Sequence, residues 1–210
     1  MMRDVASGCE TRPIVVVGAG AAGLAAAIHA GGNGVPVVVL EATGDGGRKI
    51  LISGGGRCNV LPQALEPDRF VSEAKAHLVR HLLRSWPLAE QHRFFEEEVG
   101  VPLTLEAESR KYFPTSNRAR DVRDGLVALA RRRGVVFSVD ARVTGLTPAA
   151  EGGWSVALAG GHEIEARAVV MATGGCSVPQ TGSDGAGLGL LRALGLRVHA
   201  LYAALSLIHI

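Results

Sequence analysis

The feature that most constrains the fold is the stretch from Ile14 to Glu41, which joins two apolar runs through a glycine motif and an alanine-rich segment. The run from Ile14 to Val17 is unbroken and β-branched, which is typical of a strand buried on both faces. The motif G-x-G-x-x-G follows directly, and a second apolar run ends at Leu40. This order predicts a βαβ unit and therefore an α/β protein built on a parallel sheet.

The three glycines of the motif have distinct expected roles. Gly18 allows a sharp turn after the strand, Gly20 allows a pyrophosphate to approach the backbone, and Gly23 allows the helix to pack close to the sheet. The helix N-terminus at Ala21 and Ala22 then offers free N–H groups and a positive dipole end to phosphate. The alternative, a glycine-rich turn in an ordinary α/β domain, is disfavoured by the complete strand, helix, strand and acid context.

Glu41 is that acid, and it directly follows the second predicted strand. Its carboxylate can accept hydrogen bonds from both hydroxyls of an adenosine ribose, and it would repel a 2′-phosphate. The site is therefore expected to prefer FAD or NAD over NADP.

Two further glycine-rich clusters follow Glu41 and bracket the short apolar piece Ile50 to Ile52. They read G-G-R-K at 46–49 and S-G-G-G-R-C-N at 53–59. Little side-chain bulk and many free N–H donors suit close contact with a flat polar ring or a pyrophosphate. A flexible surface loop explains the same composition equally well, so the residues alone leave both interpretations open.

Residues 66–133 form a charged, mainly helical excursion. Pro87 divides its first part into two helices, and Asp68 is expected to cap the first of them. The predicted apolar stripes are Leu78, Leu82 and Leu83 on the first helix, and Phe94, Phe95 and Val99 on the second, which Gly100 ends. His77 and His81 have the spacing of metal ligands, but without a third ligand a solvated helix face is favoured.

Short strands are expected over 101–114, followed by a helix that Ser116 or Asn117 caps. Arg131 to Arg133 end this helix, where complementing the helix dipole is favoured over an anion patch. Residues 135–139 predict another buried strand, and 141–166 predict a small antiparallel meander. The last predicted elements are a strand over 168–172 leading into T-G-G, a helix over 188–194 and the beginning of a strand at 197–199.

Composition excludes several classes of function. The chain has 210 residues, of which 47% are hydrophobic, and it carries a net charge of +2. This charge is too small to favour nucleic acid or an anionic membrane as a partner. Cys9, Cys58 and Cys176 form no metal-like or C-x-x-C pattern, and the sequence contains no secretory leader or membrane-spanning run. These features predict a cytoplasmic protein without a metal site, and they leave the oligomeric state open.

Four longer stretches carry a resemblance to a known family. They are V-V-V-G-A-G-A-A-G-L-A-A-A, G-R-K-I-L-I-S-G-G-G-R-C-N, Y-F-P-T-S-N-R-A-R-D-V and V-V-M-A-T-G-G-C-S-V-P-Q-T-G-S-D-G-A-G. From about Pro13 to Leu205 the sequence resembles the HI0933-like (BaiN-type) flavoproteins. The resemblance implies a Rossmann-like FAD-binding domain and an FAD-dependent oxidoreductase with NAD(P)H as electron donor. For some members it implies unsaturated ring substrates such as bile-acid intermediates.

The resemblance also implies which residues hold FAD. The glycine motif would bind the pyrophosphate, and Glu41 would bind the adenosine ribose. Val143 would contact the adenine through its backbone, while Thr173 and Gly174 would pack under the cofactor. The flavin end would be lined by Arg48, Lys49, Ser53, Gly55, Arg57, Cys58 and Asn59.

Two of these residue types suggest chemistry at the flavin. Arg57 or Lys49 near the N1–C2=O edge would stabilise the anionic reduced form. Cys58 could serve as a redox thiol, but it has no second cysteine nearby in the sequence, so a packing or backbone role is favoured. The catalytic residues themselves are left unassigned.

The sequence also departs from the family pattern. Relatives usually have G-S-T-G-D-G where this chain has G-S-D-G-A-G at 182–187, which moves an acid within a loop near the flavin. We expect 1–12 to be a lead-in, 13–204 to be a partial FAD/NAD(P)-binding domain, and 205–210 to be a non-native tail that resembles a translated sequencing adapter. Because the part that closes over the isoalloxazine is expected to be absent, we expect little or no activity from these residues alone.

Three functions remain open at this point. The first is an FAD oxidoreductase fed by NAD(P)H and acting on a small organic substrate. The second is a flavin-dependent RNA-modifying or RNA-binding protein, which the near-neutral charge and the lack of a basic, aromatic stripe disfavour. The third is a non-enzymatic dinucleotide-binding or redox-sensing module, which turnover of bound flavin with NAD(P)H would exclude.

Overall fold

The computed structural model describes residues 12–70 and 74–201. In chain order the strands are β1 (Ile14–Val17), β2 (Val37–Leu40), β3 (Leu61–Pro62), β4 (Leu103–Glu106), β5 (Lys111–Pro114), β6 (Val136–Ser138), β7 (Val143–Pro148), β8 (Trp154–Leu158), β9 (Glu163–Ala166) and β10 (Ala168–Met171). The helices are α1 (Ala21–Ala30), α2 (Arg48–Ile52), α3 (Ala76–Ser85), α4 (Leu88–Arg93), α5 (Ala119–Arg132) and α6 (Ala186–Ala193), with a π-helical turn over Phe94–Val99.

The chain divides into two compact units. Unit 1 comprises the described parts of Met1–Gly46 and Gly134–Ile210, and unit 2 comprises those of Gly47–Arg133. Unit 2 is larger than the helical excursion expected over 66–133, because it also includes the second glycine cluster. The predicted lead-in up to residue 11, with Cys9, and the predicted tail over 205–210 lie outside the described residues.

Unit 1 contains a four-stranded parallel sheet in the order β10-β1-β2-β6. Ile14 pairs with Ala168 on one side and with Val37 on the other, and α1 connects β1 to β2. Val15 and Val16 of β1 are completely buried, as a strand between two neighbours requires. The predicted βαβ unit and its parallel sheet are therefore confirmed.

One outer strand of this sheet, β6, differs from the expectation. The prediction that 135–139 is another buried strand is wrong in its burial, since Val136 is 60% exposed and Val139 is 46% exposed. The reason is topological, because β6 is an edge strand that pairs only with β2 among the described strands. A run of apolar residues cannot tell an edge strand from a central one.

The predicted antiparallel meander is present as β7-β8-β9. Its inner face joins the core of the parallel sheet, where Val143 and Val156 of the meander belong to one buried cluster with Val15 and Leu40. β7 carries a bulge between Val143 and Gly145. Two differences follow the meander in the chain: α6 begins at Ala186, two residues earlier than predicted, and residues 197–199 form no strand.

Unit 2 contains a small antiparallel sheet in the order β3-β5-β4, together with α2 to α5. The predicted strands over 101–114 are present, and α5 buries the expected face with Val122, Leu126, Leu129 and Ala130. Its N-cap is Arg118 rather than Ser116 or Asn117, because the Ser116 hydroxyl instead accepts a hydrogen bond from the Arg118 N–H in the preceding turn.

The helix after Pro87, α4, is present as predicted, but the helix before it, α3, differs from the prediction. Asp68 lies in a separate 3₁₀ turn, Pro67–Arg69, and does not cap α3. The expected apolar stripe is not buried, since Leu78 is 47% exposed and Leu82 is 68% exposed. Gly100 ends the following π-helical turn in a left-handed conformation, as predicted.

Candidate functional site

The glycine motif lies in unit 1 at the carboxyl end of β1, and its three glycines differ in their surroundings. Gly18 has φ +101°, and a Cβ there would lie 2.6 Å from the carbonyl oxygen of Ala172. A Cβ on Gly23 would overlap the carbonyl oxygen of Gly18, so α1 can approach β1 only with glycine at this position. A Cβ on Gly20 would meet nothing within 4 Å. Gly18 and Gly23 therefore serve the fold, while Gly20 faces open space.

The N-terminus of α1 completes this cradle. Gly20 is the N-cap residue, no side chain caps the helix, and its first turn carries no acidic residue. The first N–H groups of a helix lack intrahelical partners, so those at Ala21, Ala22 and Gly23 can donate to an anion. The exposed Ala21 and Ala22 have side chains too small to cover them. The open face at Gly20 and these donors fit a pyrophosphate.

Glu41 is held against the glycine motif by the chain itself. Glu41 is 9% exposed, and its Oε2 accepts a hydrogen bond from the Ala19 N–H at 2.8 Å. Oε1 accepts from the Thr43 N–H at 2.9 Å and lies 2.7 Å from the Thr43 hydroxyl. A carboxylate offers about four acceptor positions, so this geometry leaves room for one further donor.

The Thr43 hydroxyl determines whether a second donor can reach Glu41. Its Oγ1 also lies 2.7 Å from the carbonyl oxygen of Asp45, and a hydroxyl can donate its single proton to only one of the two acceptors. When the proton points to Asp45, Glu41 has two free acceptor positions. The carboxylate can then accept hydrogen bonds from both hydroxyls of a ribose.

A loop over 182–187, called the 182–187 loop below, lies at the carboxyl ends of β10 and β2. A Cβ on Gly174 would lie 2.7 Å from the Ser183 hydroxyl, and a Cβ on Gly187 would overlap the Thr173 hydroxyl. On the β2 side, a Cβ on Gly182 would lie 3.4 Å from a methyl carbon of Thr43. Thr173 and Gly174 are therefore packed against the chain at the same sheet end as the glycine motif.

Val143 lies at the bulge of β7 and is 8% exposed. The neighbouring Arg142 pairs with Asp184 of the 182–187 loop, with 2.9 Å between Nη1 and Oδ2. The other carboxylate oxygen of Asp184 accepts a hydrogen bond from the Ala186 N–H at 3.0 Å. The Ala186 N–H and then Arg142 lower the pKa of Asp184 below its ordinary value. In the sequence, Asp184 stands out only as a departure from the family pattern G-S-T-G-D-G. The role of Arg142 was missed, because no local signal in the sequence pairs the two residues.

The second glycine cluster lies in unit 2 and forms a defined turn. α2 is followed by a 3₁₀ turn over Ser53–Gly56, in which Gly54 and Gly55 have positive φ angles of +57° and +69°. A Cβ on Gly54 would lie 3.0 Å from both the Asn59 nitrogen and the Phe113 ring. A Cβ on Gly55 would meet nothing within 4 Å, so Gly55 is the open position of this turn.

Arg57 is fixed by neighbours on the β4–β5 hairpin. Its guanidinium lies 2.7 Å from Oε1 of Glu106 and 4.2 Å from the centre of the Phe113 ring. The hydrogen bond from Arg57, followed by that from the Ser109 hydroxyl, lowers the pKa of Glu106. Arg57 is therefore paired with Glu106 in this structure, and the suggestion that Arg57 or Lys49 stabilises a reduced flavin stays a prediction. Nothing local in the sequence joins these residues.

Cys58 is buried at 6% exposure and has a positive φ of +63°. Its N–H donates to the Ser53 carbonyl at 2.9 Å, which closes the turn. Burial raises the pKa of its thiol from 9.0 to about 11, so the thiol stays protonated at neutral pH. These properties favour the packing role over a redox role.

The predicted site residues fall into two groups, one in each unit. Unit 1 brings together, at the carboxyl end of its parallel sheet or beside it, Gly18, Gly20, Ala21, Ala22, Gly23, Glu41, Val143, Thr173 and Gly174. Unit 2 holds, in and around its glycine turn, Arg48, Lys49, Ser53, Gly55, Arg57, Cys58 and Asn59.

Within 12–70 and 74–201, no group of three His, Cys, Asp or Glu residues is placed to hold a metal ion. His77 and His81 are both exposed on α3. No helix in these ranges is long and apolar enough to cross a membrane.

Known proteins were compared with this chain by sequence. The family model described as the HI0933-like protein Rossmann domain matches residues 12–203. The 3-dehydro-bile acid delta(4,6)-reductase of Clostridium scindens is 32% identical over 184 residues, which cover 87% of this chain and 44% of that protein. The ribosomal RNA dihydrouridine synthase of Escherichia coli is 28% identical over 184 residues, covering 88% of this chain and 44% of that protein. The chain thus spans less than half the length of these curated relatives.

A comparison of structures agrees on the fold. The 3-ketosteroid-delta4-(5alpha)-dehydrogenase of Rhodococcus jostii superposes with a TM-score of 0.63 at 20% identity, over 87% of this chain and 53% of that one. At this identity the similarity establishes a shared fold.

Proposed function

The chain belongs to the HI0933-like family, and from this premise we propose that it is the dinucleotide-binding part of an FAD-dependent oxidoreductase. The single observation that carries the proposal is Gly20. Its neighbours in the motif, Gly18 and Gly23, are required by close contacts within the fold, whereas Gly20 has open space where a side chain would be. A glycine that the fold does not need, next to an uncapped helix N-terminus, is best explained by a phosphate-bearing ligand.

The residues of unit 1 would hold the adenosine diphosphate half of the cofactor. The N–H groups at the start of α1 would donate to the pyrophosphate, and Glu41 would accept from the ribose after the Thr43 hydroxyl turns to Asp45. A carboxylate at this position disfavours a ribose that carries a 2′-phosphate. These features support FAD or NAD as the bound dinucleotide, and family membership favours FAD.

Taken by itself, the glycine turn of unit 2 has features that suit contact with a flavin ring. When bound, FAD supplies the transfer of a hydride or electrons to and from a substrate. The open position at Gly55 would let a flat ring approach the backbone, and Cys58 would keep the turn closed. Because its thiol remains protonated, Cys58 would not exchange electrons with a substrate.

The substrate class is suggested by the two relatives. One is named a delta(4,6)-reductase of a 3-dehydro bile acid, and the other a dihydrouridine synthase of ribosomal RNA. Both names describe hydrogenation of a carbon–carbon double bond in a ring. We therefore propose reduction of an unsaturated ring in a small molecule, with NAD(P)H as the electron donor and the cytoplasm as the compartment.

A second candidate is modification of RNA. It is favoured by the similarity to the ribosomal RNA dihydrouridine synthase, which covers nearly the same share of this chain as the reductase does. The net charge of +2 gives this candidate no support from bulk electrostatics.

The test is a set of anaerobic reactions with an FAD-loaded form of the chain extended to the length of its relatives, since little or no activity is expected from these residues alone. NADH or NADPH should bleach the flavin absorption, and an unsaturated cyclic ketone should restore it. Restoration by uridine-containing ribosomal RNA, but not by the ketone, would favour the second candidate. A chain that binds FAD but is bleached by neither donor would contradict the proposed donor, and dithionite would then supply electrons for the substrate comparison.

A further inference from the structure

The 182–187 loop lies at the mouth of the proposed dinucleotide site in unit 1. Gly182 approaches Thr43 and Glu41, since its Cβ would lie 3.4 Å from a Thr43 methyl carbon and 3.8 Å from Glu41 Oε1. At its other end, Gly187 packs directly against the Thr173 side chain. The loop therefore joins the two strand ends, β2 and β10, that flank the glycine motif.

Three of the six residues of this loop are glycines. Gly182 and Gly185 have positive φ angles of +93° and +80°, and Ser183 is its one buried polar side chain. Glycine loses more conformational freedom than other residues when it becomes ordered, so a glycine-rich loop needs specific contacts to stay in one place.

Asp184 supplies such contacts in two directions. Its Oδ2 lies 2.9 Å from Arg142 Nη1 beside the β7 bulge, and its Oδ1 accepts the Ala186 N–H at 3.0 Å in the first turn of α6. One carboxylate therefore joins β7, the 182–187 loop and α6. The lowered pKa of Asp184 agrees with a carboxylate that stays charged in this place at neutral pH.

We propose that Arg142 and Asp184 are positioning residues that hold the 182–187 loop against the carboxyl ends of β2 and β10, and so set the affinity for the dinucleotide. This inference rests on the proposed function for its ligand. The pair does not touch the cofactor in this account; it acts through the loop beside Thr43, Glu41 and Thr173. The effect should be moderate, because the side chains of Arg142 and Asp184 are 46% and 39% exposed and water screens the pair.

The experiment compares Asp184→Asn, Arg142→Gln and the double variant with the wild-type chain. Asn retains an oxygen for the Ala186 N–H but removes the charge that faces Arg142. The matched control is Glu165→Gln, which breaks the Arg12–Glu165 pair (3.0 Å) in the same unit. Arg12 precedes β1 and so lies at the amino end of the sheet, away from the proposed site.

Two quantities are measured for each variant: the FAD dissociation constant, by fluorescence titration, and the hydrogen exchange of amides 182–187 without cofactor. Each single variant should weaken FAD binding about three- to fivefold, and the double variant should be no weaker, because the two side chains act as one pair. Exchange in the loop should accelerate in all three, while Glu165→Gln leaves both quantities unchanged. Arg142→Lys should restore part of the affinity.

The outcomes separate this inference from the proposed function. If the wild type binds FAD and the Asp184 and Arg142 variants match Glu165→Gln in both measurements, the positioning role is overturned and the proposed function stands. If the wild type binds no FAD, the proposed function fails. Exchange that still accelerates in the Asp184 variant then supports the positioning of the loop, and unchanged exchange overturns it.

Discussion

Gly20→Ala should abolish tight cofactor binding without unfolding the chain. At Gly20 the backbone has φ −74° and ψ −176°, which alanine adopts without strain, and its Cβ would meet nothing within 4 Å. Alanine is a poorer N-cap than glycine but lowers the entropy of the unfolded chain. Each effect is worth about 0.5–1 kcal/mol, and the two oppose each other. The free energy of unfolding should therefore change by less than about 1 kcal/mol.

The effect on binding should be much larger than the effect on folding. The new methyl group would occupy the space through which a pyrophosphate approaches the backbone. Overpacking of a close contact costs about 1–3 kcal/mol, which corresponds to a weakening of FAD binding by about 5- to 150-fold. The predicted signature is a normal unfolding transition together with a large loss of affinity.

Two other glycine variants serve as controls for this prediction. In Gly23→Ala the Cβ would overlap the Gly18 carbonyl oxygen, so the chain should lose its folded structure as well as FAD binding. In Gly189→Ala the Cβ lies in open space on α6, so helix stability should rise slightly and FAD affinity should not change.

The assay combines urea unfolding, followed by circular dichroism, with a fluorescence titration of FAD. Stability close to wild type with weakened binding in Gly20→Ala would support the reasoning. If Gly20→Ala binds FAD as tightly as the wild type, the open space at Gly20 is not the pyrophosphate position and the reasoning is refuted.

Further predictions concern the groups around the two glycine turns. Because the folded-state pKa of Cys58 is raised from 9.0 to about 11, the contribution of Cys58 to the free energy of unfolding should be constant below pH 9 and fall by up to about 3 kcal/mol as the pH rises to 11. Cys58→Ala should abolish this fall in urea unfolding, and a fall that persists would contradict the assignment. With Cys9 replaced by serine, a thiol reagent at neutral pH should label exposed Cys176 and leave Cys58 unlabelled until the chain is unfolded. Glu106→Gln and Arg57→Gln should lower the melting temperature by similar amounts. If the melting temperature of the double variant falls by the sum of the two single decreases, the two residues do not act as a pair. Glu41→Gln should weaken FAD binding about tenfold. Thr43→Val should not weaken it, since valine has no hydroxyl to occupy Glu41 and leaves its carboxylate free to accept from the ribose. Weaker FAD binding in Thr43→Val would contradict the proposed turning of the Thr43 hydroxyl from Glu41 to Asp45.

Features whose signals lie within a short stretch of sequence could be predicted. The β-branched run, the glycine spacing and the acid at Glu41 predicted β1, α1 and β2 in this order, with β1 over 14–17 and β2 ending at Leu40, because burial on both faces and close packing restrict those positions to few residue types. The paired glycines of the meander are another such case. Gly153 has a positive φ, and a Cβ there would overlap the Ala166 carbonyl oxygen, so only glycine fits the turn.

Features set by distant partners could not be predicted. Val136 is apolar yet exposed because its strand is at an edge, and the sequence does not specify which strand has a second neighbour. Leu82 lies on an amphipathic helix but is not covered among the described residues. The apolar spacing therefore predicted the helix, but it did not predict whether the apolar face is buried. The Arg142–Asp184 pair joins residues 42 positions apart, and propensity carries no information on such a pairing.

The central claim is that the described glycine motif forms an FAD site, and the absorption spectrum of the purified chain with added FAD tests it most directly. Circular dichroism on the same sample establishes that the chain is folded. We expect flavin bands shifted from those of free FAD, saturating at one FAD per chain. A folded chain whose added FAD keeps the spectrum of the free cofactor and is removed completely by gel filtration would contradict the account.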